Sequence, residues 1–582
     1  MHKERIDCLL VHVPKKMSDG SLSVMSMSMG LFALADVLNR NGFSSQIIHS
    51  GIEQIKGRNS AIEEYVRDND ILLIGFSLHW YLQSYDTLQM VDRIKSIRPG
   101  IKIVLGGFTA SFFANEIMRN FGNVDFIIKG EGEIPLLWLV RALLRKDKAF
   151  SSIPNLVWRY GKEIIVNNTT YVADNTDLNS LNFTNFDLLK DFSIYKRSGI
   201  DEVSHFSQEG LLSIDKIFPI CIGRGCPVSC SFCGGSKLSQ KLINNREKIA
   251  FRSPEMVLES IKMACSAGYD GIYLDFDPWP KRVYFKRLFR LIRKSRIDIL
   301  MKFACWSLPT KDFIDDLEKT FGERASLLIS PVTGSDRLRK LNRGYFFTNK
   351  ELISVLSLLK KKKIKAEVYF SYPLPFTRNK DIKEESRLIN SLSVNFCDFH
   401  RIIRPVFSFD PASPMFICPD KYKIKKHINS FLEYYGLSGG IGYCLKGHNY
   451  NSYKKMFEEH EKANIVVSSL LPKAKAFYRL KDLQRAIKLA KKALRLYTKD
   501  IEIYSLLGAC YEEISRYKNA LNIYRKALKM FPNAEGIYSG LIRSYIKLKR
   551  YKMVIKAVKK LEKLNHNKDA NMPFVRNKVF TK

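Results

Sequence analysis

The segment Gly223 to Ser236, GRGCPVSCSFCGGS, sets Cys226, Cys230 and Cys233 at intervals of four and three residues in a glycine-rich run. Thiolates are soft ligands that suit iron–sulfur clusters and zinc, and glycines let three side chains of one loop converge on a metal centre. Three ligands rather than four leave one iron of a cluster open. An open position is useful only where a substrate or cosubstrate occupies it, whereas structural metal sites are closed. The alternative is a zinc site completed by Cys221 or His205, but zinc knuckles usually come as two Cys-x-x-Cys pairs and this chain has one tight cluster.

The loop must be held by the elements around it. Strands are expected at Ile217 to Ile222, Gly271 to Phe276, Leu300 to Phe303, Ser326 to Ile329, Ala366 to Phe370 and Asp398 to Ile402, with helical stretches between them. Six βα units predict a partial barrel over 216–420 with its site at the carboxyl ends of the strands. Upstream, Ile6 to Val13, Gln46 to Ile48, Ile71 to Phe76, Lys102 to Leu105 and Asp125 to Ile128 also alternate with helical patterns. They predict a doubly wound, Rossmann-like α/β domain over 1–150, so the basic N-terminus reads as a first strand and not as a signal peptide. Ligands in such sheets sit at the carboxyl ends of strands. The candidates there are Ser77 and His79, then Gly106 and Gly107, then Gly130, Glu131, Gly132 and Glu133. No Gly-x-Gly-x-x-Gly follows the first strand, which argues against a dinucleotide. Met25, Met27 and Met29 read as adaptable packing residues. Residues 151–215, rich in Asn, Asp and Thr, read as a linker, and 421–465 as a connecting segment.

From 466 to 565 a period of 34 residues takes over. Tyr504, Leu507, Gly508, Tyr511, Ala520, Tyr524, Ala527 and Pro532 are echoed by Tyr538, Leu541, Tyr545 and Tyr551, and earlier by Ala486 and Ala493. The spacing resembles the tetratricopeptide repeat, which implies two or three stacked helical hairpins and a surface for docking a protein partner. A basic tail, 566–582, follows. The chain's net charge is +37, and roughly +20 of it falls in the last 110 or so residues. Such a field could attract nucleic acid, but the lysines lack interleaved stacking aromatics and read as solvated helix faces. Eleven scattered cysteines fit a reducing, cytoplasmic compartment, and no apolar stretch is long enough to span a bilayer.

With an aromatic, Phe232, directly before the last cysteine, the loop resembles the cysteine motif of the radical S-adenosylmethionine (SAM) superfamily. The resemblance implies a 4Fe–4S cluster whose open iron binds the amino and carboxylate groups of SAM. An electron then breaks a carbon–sulfur bond and yields a 5′-deoxyadenosyl radical that takes a hydrogen atom from substrate. An electron donor such as flavodoxin or ferredoxin is implied with it. The resemblance extends over about 215–420. YLDFDPWP places Asp275 and Asp277 near where the family holds the methionyl ammonium. SPVTGSDRLRKLNRGY resembles the segment after the fourth strand, with Val332 in place of the usual glutamate, leaving Ser330, Thr333 and Arg339 as candidate contacts. DPASPMF, Asp410 to Phe416, resembles a segment near the end of related barrels. Trp279 and Trp306 either line the substrate pocket or pack the core.

A doubly wound domain directly before such a barrel resembles the cobalamin-binding subgroup of this superfamily. That implies cobalamin over the barrel and methyl transfer to an unreactive carbon of a small-molecule or carrier-bound substrate. The Asp-x-His-x-x-Gly motif that supplies a cobalt ligand in many cobalamin proteins is absent, so no histidine from such a motif is expected below the cobalt. His79 is a possible substitute. Cobalamin-free radical chemistry, and a non-catalytic scaffold with a structural or redox-sensing cluster, are the alternatives.

Overall fold

The computed structural model describes residues 4–16, 22–146, 149–197, 216–275, 282–371, 374–396, 400–403, 410–424, 428–438, 470–479, 481–496, 498, 500–532 and 534–566. The chain forms two units, Met1–Tyr450 and Asn451–Lys582. His205, Asp277, Trp279 and the tail beyond His566 lie outside the described residues.

The first unit opens with β1 (Arg5–His12), β2 (Ser45–His49), β3 (Asp70–Ser77), β4 (Lys102–Gly106) and β5 (Phe126–Ile128). They pair in parallel in the order β2-β1-β3-β4-β5. Their near-continuous apolar runs reflect helices on both faces, since a strand covered on both sides has no polar face to show. In this strand order the ligand crevice opens at the carboxyl ends beside the β1/β3 switch point.

The sheet does not stop where the sequence suggests. Residues 151–215, expected as a linker, begin with β6 (Leu156–Tyr160) and β7 (Glu163–Val166), an antiparallel hairpin that extends the sheet from β5. Gly161, with φ of +59°, makes the tight turn. These strands are too short for a periodicity of two to stand out. Farther along, Phe186 stacks on Phe192 at 4.6 Å and meets Phe32 and Phe218 edge-on, so this segment joins the Rossmann-like and barrel cores.

The barrel strands are β8 (Ile217–Pro219), β9 (Gly271–Leu274), β10 (Leu300–Cys305), β11 (Ala325–Val332), β12 (Lys365–Phe370) and β13 (His400–Ile403). All six lie parallel in chain order, the expected six-unit partial barrel. Alternation sorts their side chains. Ile272, Leu274, Met301, Phe303, Leu327, Ile329 and Val368 pack under the helices, while Ile217, Tyr273, Ala304 and Leu328 form a separate inner cluster. On that inner side Lys302 and Glu367, both buried, pair at 3.0 Å. After the barrel the chain returns to the Rossmann-like domain. Helix Phe431–Ser438 lays Phe431 against Phe121 and Tyr434 against Tyr81 and Phe113, and Glu116 accepts the Phe431 N–H at 2.6 Å.

The second unit contains helices Leu471–Arg479, Leu483–Leu496, Ile501–Glu513, Tyr517–Met530, Glu535–Lys547 and Tyr551–His566, three hairpins of the expected period. The glycines are steric requirements. A Cβ on Gly508 would lie 2.2 Å from the Tyr524 ring and one on Gly540 2.5 Å from it, so Tyr524 is seated between two neighbouring helices. Tyr551, expected to pack like its counterparts, is exposed instead because it starts the last described helix. Among the described residues no helix is long and apolar enough to cross a membrane.

Candidate active site

The cysteine loop follows β8 and a two-residue ribbon, Gly223–Arg224, paired with Ala250–Phe251. Helix Lys237–Asn244, capped by Ser236, follows it. Two distant segments clamp the loop. From beyond β11, Asn342 accepts the Ser231 N–H at 2.8 Å on its carbonyl and the Ser231 hydroxyl at 2.6 Å on Oδ1, while its amide donates to Leu338 and Pro375 carbonyls. Gly344 donates its N–H to Cys230 Sγ at 3.2 Å, and a Cβ there would lie 2.2 Å from Val228 Cβ. From the DPASPMF segment, Met415 N–H donates to the Ser231 carbonyl at 2.9 Å and the Ala412 carbonyl accepts from Ser239 at 2.7 Å. Gly234 lets the Pro411 carbonyl approach, since a Cβ would be 2.8 Å from it.

The three thiols therefore share one turn. Burial, then the neighbouring Cys230, Asp410 and Cys226, push the Cys233 thiol well above its ordinary value. Cys226 Sγ donates to the Val228 carbonyl at 3.3 Å. Among the described residues no three His, Cys, Asp or Glu side chains form a ready single-ion site. A cubane asks for something different, because each thiolate takes its own iron and the sulfurs stay apart. Three soft donors on one fixed turn, with an N–H already directed at one sulfur, fit that group.

Around the barrel mouth, Asp275 follows β9 and accepts a bond from Trp306 Nε1 at 3.3 Å. Asp275 is exposed at the barrel mouth, yet the loss of water around its carboxyl raises it and the indole N–H partly offsets this. Arg343, from the segment that clamps the cysteine loop, donates to the Trp306 carbonyl. Ser330 lies at a bulge in β11 two residues beyond the inward Leu328, and Val332 closes that strand with φ of +69°, an unusual conformation for a β-branched residue. Phe232 and Val332 share an apolar cluster with Leu338, Leu374 and Phe376. Thr333 is buried and its hydroxyl accepts the Ser335 N–H at 3.2 Å. Arg339 differs from expectation. Its guanidinium is buried and donates to the carbonyls of Pro331, Thr333 and Phe347, to Asp336 and to Asn349. All five N–H groups are used inside the segment, so Arg339 shapes the loop and has no donor left for a ligand.

At the carboxyl edge of the Rossmann-like sheet, Ser77 pairs with Gly106 and the Leu78 N–H donates to the Gly106 carbonyl. Gly107, with φ of +103°, leaves no room for a Cβ against Leu78 and His79, whereas above Gly106 the space is open. Ser111 bridges the Gly107 carbonyl, 2.7 Å, and the Gly130 N–H, 2.9 Å. The His79 ring meets Trp80 and Phe108 edge-on at 4.7 and 5.2 Å, and burial pushes it down to about 4, so it is a neutral imidazole at neutral pH. Trp80 is half-exposed beside it. This edge offers open backbone and aromatic faces, which fits a large flat ligand. Glu131 does not line it. Both its oxygens are engaged, Oε1 by Arg246 Nε and Nη2 at 2.8 and 2.5 Å, and Oε2 by Arg224 Nη1 and the Ala173 N–H at 3.1 and 2.9 Å. The expected corrinoid contact is a strut toward the barrel.

Family models match three regions of the chain: the B12 binding domain over residues 24–140, the radical SAM superfamily over 220–389, and the N-terminal TPR repeats region of Psidin over 451–572. The chain thus carries a match to the B12 binding domain directly before a match to the radical SAM superfamily. Among curated proteins, an uncharacterized methyltransferase of Pyrococcus horikoshii is 23% identical over 42% of this chain and 45% of its own length. Hopanoid C-3 methylase of Methylococcus capsulatus is 26% identical over 35% of each. The matched part thus spans less than half of either relative. Among solved structures, the cobalamin-dependent SAM radical enzyme OxsB with aqua-cobalamin and SAM superposes with a TM-score of 0.59 at 14% identity, over 98% of this chain and 82% of that one. The radical SAM methyltransferase TsrM from Kitasatospora setae, with tryptophan and a SAM analogue, gives 0.54 at 15% identity over 70% and 74%. These likenesses establish the fold.

Within this B12-binding radical SAM fold, the elements that clamp the loop escaped the sequence reading. Asn342, Arg343 and Gly344 lie in the quoted SPVTGSDRLRKLNRGY run, but nothing local marks them as partners of a loop 111 residues earlier. The charged pattern of Arg224, Arg246, Glu131 and Glu133 was equally silent.

Proposed function

We propose that this chain is a radical SAM enzyme that transfers a methyl group to an unreactive carbon with the help of cobalamin. The observation that carries the reading is the three-cysteine turn, clamped at the mouth of a six-strand barrel, in one unit with a B12-type sheet edge of open glycine backbone and aromatic rings. Cys226, Cys230 and Cys233 would hold the 4Fe–4S cluster, and the Gly344 N–H would stabilise the charge on the Cys230 sulfur. Bound there, the cluster supplies the electron that opens SAM, and cobalamin supplies a carrier for the methyl group.

The remaining work falls to the chain itself. Asp275, raised by the loss of water around its carboxyl, gains from a cation beside it, and an ammonium would restore its charged form. Trp306 fixes the orientation of that carboxyl. The inward rows of β9 to β12 and the cluster around Phe232 and Val332 exclude water from the mouth. Ser77, Gly106, Gly107 and Gly130 would present backbone to the corrinoid, with His79 and Trp80 at its rim. The substrate is a small or carrier-bound molecule, the electron donor is of the flavodoxin or ferredoxin class, and the repeats dock a protein partner in the reducing cytoplasm.

Anaerobic reconstitution with iron, sulfide and hydroxocobalamin tests this. Retention of one corrinoid per chain after gel filtration, with SAM consumption under reductant, supports it. Cluster and SAM cleavage without corrinoid would demote methyl transfer in favour of another radical reaction.

A further inference from the structure

Three buried charges, Glu131, Glu133 and Arg246, and one partly buried, Arg224, join the two halves of the first unit. Glu131 and Glu133 stand in the loop after β5 and at the start of helix Glu133–Arg145, both on the carboxyl edge of the Rossmann-like sheet. Arg224 stands two residues before Cys226, and Arg246 follows the helix that leaves the cysteine loop. Arg224 Nη2 meets Glu133 at 2.6 Å and its Nη1 meets Glu131 at 3.1 Å, while Arg246 grips Glu131 through two nitrogens and also donates to the Ala173 carbonyl at 2.6 Å. Burial alone would raise the Glu133 carboxyl, but the Arg224 guanidinium holds it below its usual value. Between the two pairs the backbones nearly touch. A Cβ on Gly130 would come 3.2 Å from Asn244 Cα.

Two acids on one domain and two bases on the other cancel, and every Glu131 lone pair is filled. Such a cluster adds little net stability compared with apolar residues of the same volume, because desolvation offsets the attraction. What it does supply is register, since a bidentate guanidinium fits a carboxylate in few orientations. Moreover, the two arginines bracket the cysteine loop in sequence and the two acids flank the proposed corrinoid edge. We infer that Glu131, Glu133, Arg224 and Arg246 are positioning residues that set the separation and orientation of the cysteine turn relative to the carboxyl edge of the B12-type sheet. This rests on the function proposed above, and the four residues touch neither cofactor.

The test uses the full chain with Glu131→Leu and Arg246→Met together, which removes the pair without leaving a lone buried charge, and Arg246→Lys as the conservative variant. Iron and corrinoid contents are measured first. The microwave-power saturation of the cob(II)alamin electron paramagnetic resonance signal is then recorded with the cluster reduced and with it oxidised, because a nearby paramagnet speeds relaxation steeply with proximity. The expected result is wild-type iron and corrinoid content in the double variant, with loss of the relaxation enhancement, and partial recovery in Arg246→Lys. Unchanged enhancement in the double variant would overturn the inference. Hydrogen exchange on the cofactor-free chain provides a second readout: faster exchange confined to 129–133 and 222–247 is expected, and unchanged exchange there would also overturn it. Failure of wild type to bind corrinoid is a different outcome, which refutes the proposed function while the exchange result still decides whether the charges hold the two loops together.

Discussion

Gly344→Ala places one methyl group against the cysteine loop, and its effect follows from the packing there. The new carbon would lie 2.2 Å from Val228 Cβ, 2.6 Å from Cγ2 and 3.0 Å from Cγ1. Carbon pairs prefer about 3.5 to 4 Å, so the loop and the Gly344 segment must part by roughly 1 Å. Overpacking of this kind costs about 1 to 3 kcal/mol, and loss of the Gly344 N–H bond to the Cys230 sulfur adds on the order of 1 kcal/mol. The sum, about 2 to 4 kcal/mol, weakens the loop's docked state by roughly 30-fold to several hundredfold. Tryptophan fluorescence in denaturant isolates the relevant unit, because all five tryptophans lie in the first 306 residues. The same protein, reconstituted anaerobically, is then challenged with a chelator. Gly344→Ala is expected to unfold at lower denaturant and to lose iron faster. Adding Val228→Gly, which hands the space to the new methyl, is expected to recover much of both. Wild-type stability and iron retention in Gly344→Ala, or no recovery in the double variant, would refute the steric argument.

Other expectations follow from the same structure. Asn342→Leu removes the side-chain partner of the Ser231 hydroxyl and of the Pro375 carbonyl, so it is expected to destabilise the first unit by about 2 to 3 kcal/mol and to lower iron content, read by denaturant melts and iron assay. Arg339→Lys cannot reproduce five fixed donors and is expected to cost about 3 kcal/mol or more in the same melts. His12 and His49, buried with ring centroids 4.6 Å apart, are pushed down to about 4 and about 3 by burial, and His49 also by His12. Their lowered folded values mean that the unfolded chain binds the extra protons first. Stability is therefore full above about pH 6.5 and falls as pH drops toward 4, by on the order of 3 kcal/mol between pH 7 and pH 5, and His12→Gln is expected to flatten the slope of denaturant melts taken across that range. Gly508→Ala, which drives a carbon into Tyr524, is expected to lower the melting of the repeats by circular dichroism while tryptophan fluorescence of the first unit and its iron content stay unchanged.

What could be read from the sequence was whatever is local. Cys226, Cys230 and Cys233 announce themselves because their ligand geometry lies within eight residues, and the apolar runs of β1 to β5 and β8 to β13 are each one strand long. The repeat is legible because Tyr504, Leu507 and Tyr511 recur 34 residues later as Tyr538, Leu541 and Tyr545. The hairpin β6–β7 was missed because two strands of five and four residues beside an Asn-rich stretch carry too little pattern. Arg339 is a candidate contact through the family resemblance and Glu131 through its place at a strand end, and only the tertiary structure shows that every donor of the one and every lone pair of the other is engaged. The clamp of Asn342 on Ser231 and of Arg224 on Glu133 spans 111 and 91 residues, a separation at which a single sequence carries no signal.

The most direct test of the proposed chemistry is reductive cleavage of SAM. The wild-type chain, carrying about four irons after anaerobic reconstitution, is mixed with SAM and a low-potential reductant, and 5′-deoxyadenosine is quantified beside the Cys226→Ala, Cys230→Ala and Cys233→Ala variants. Product from wild type and none from any of the three variants is the predicted result. An intact wild-type cluster that yields no 5′-deoxyadenosine, or product that survives loss of one of these cysteines, would contradict it.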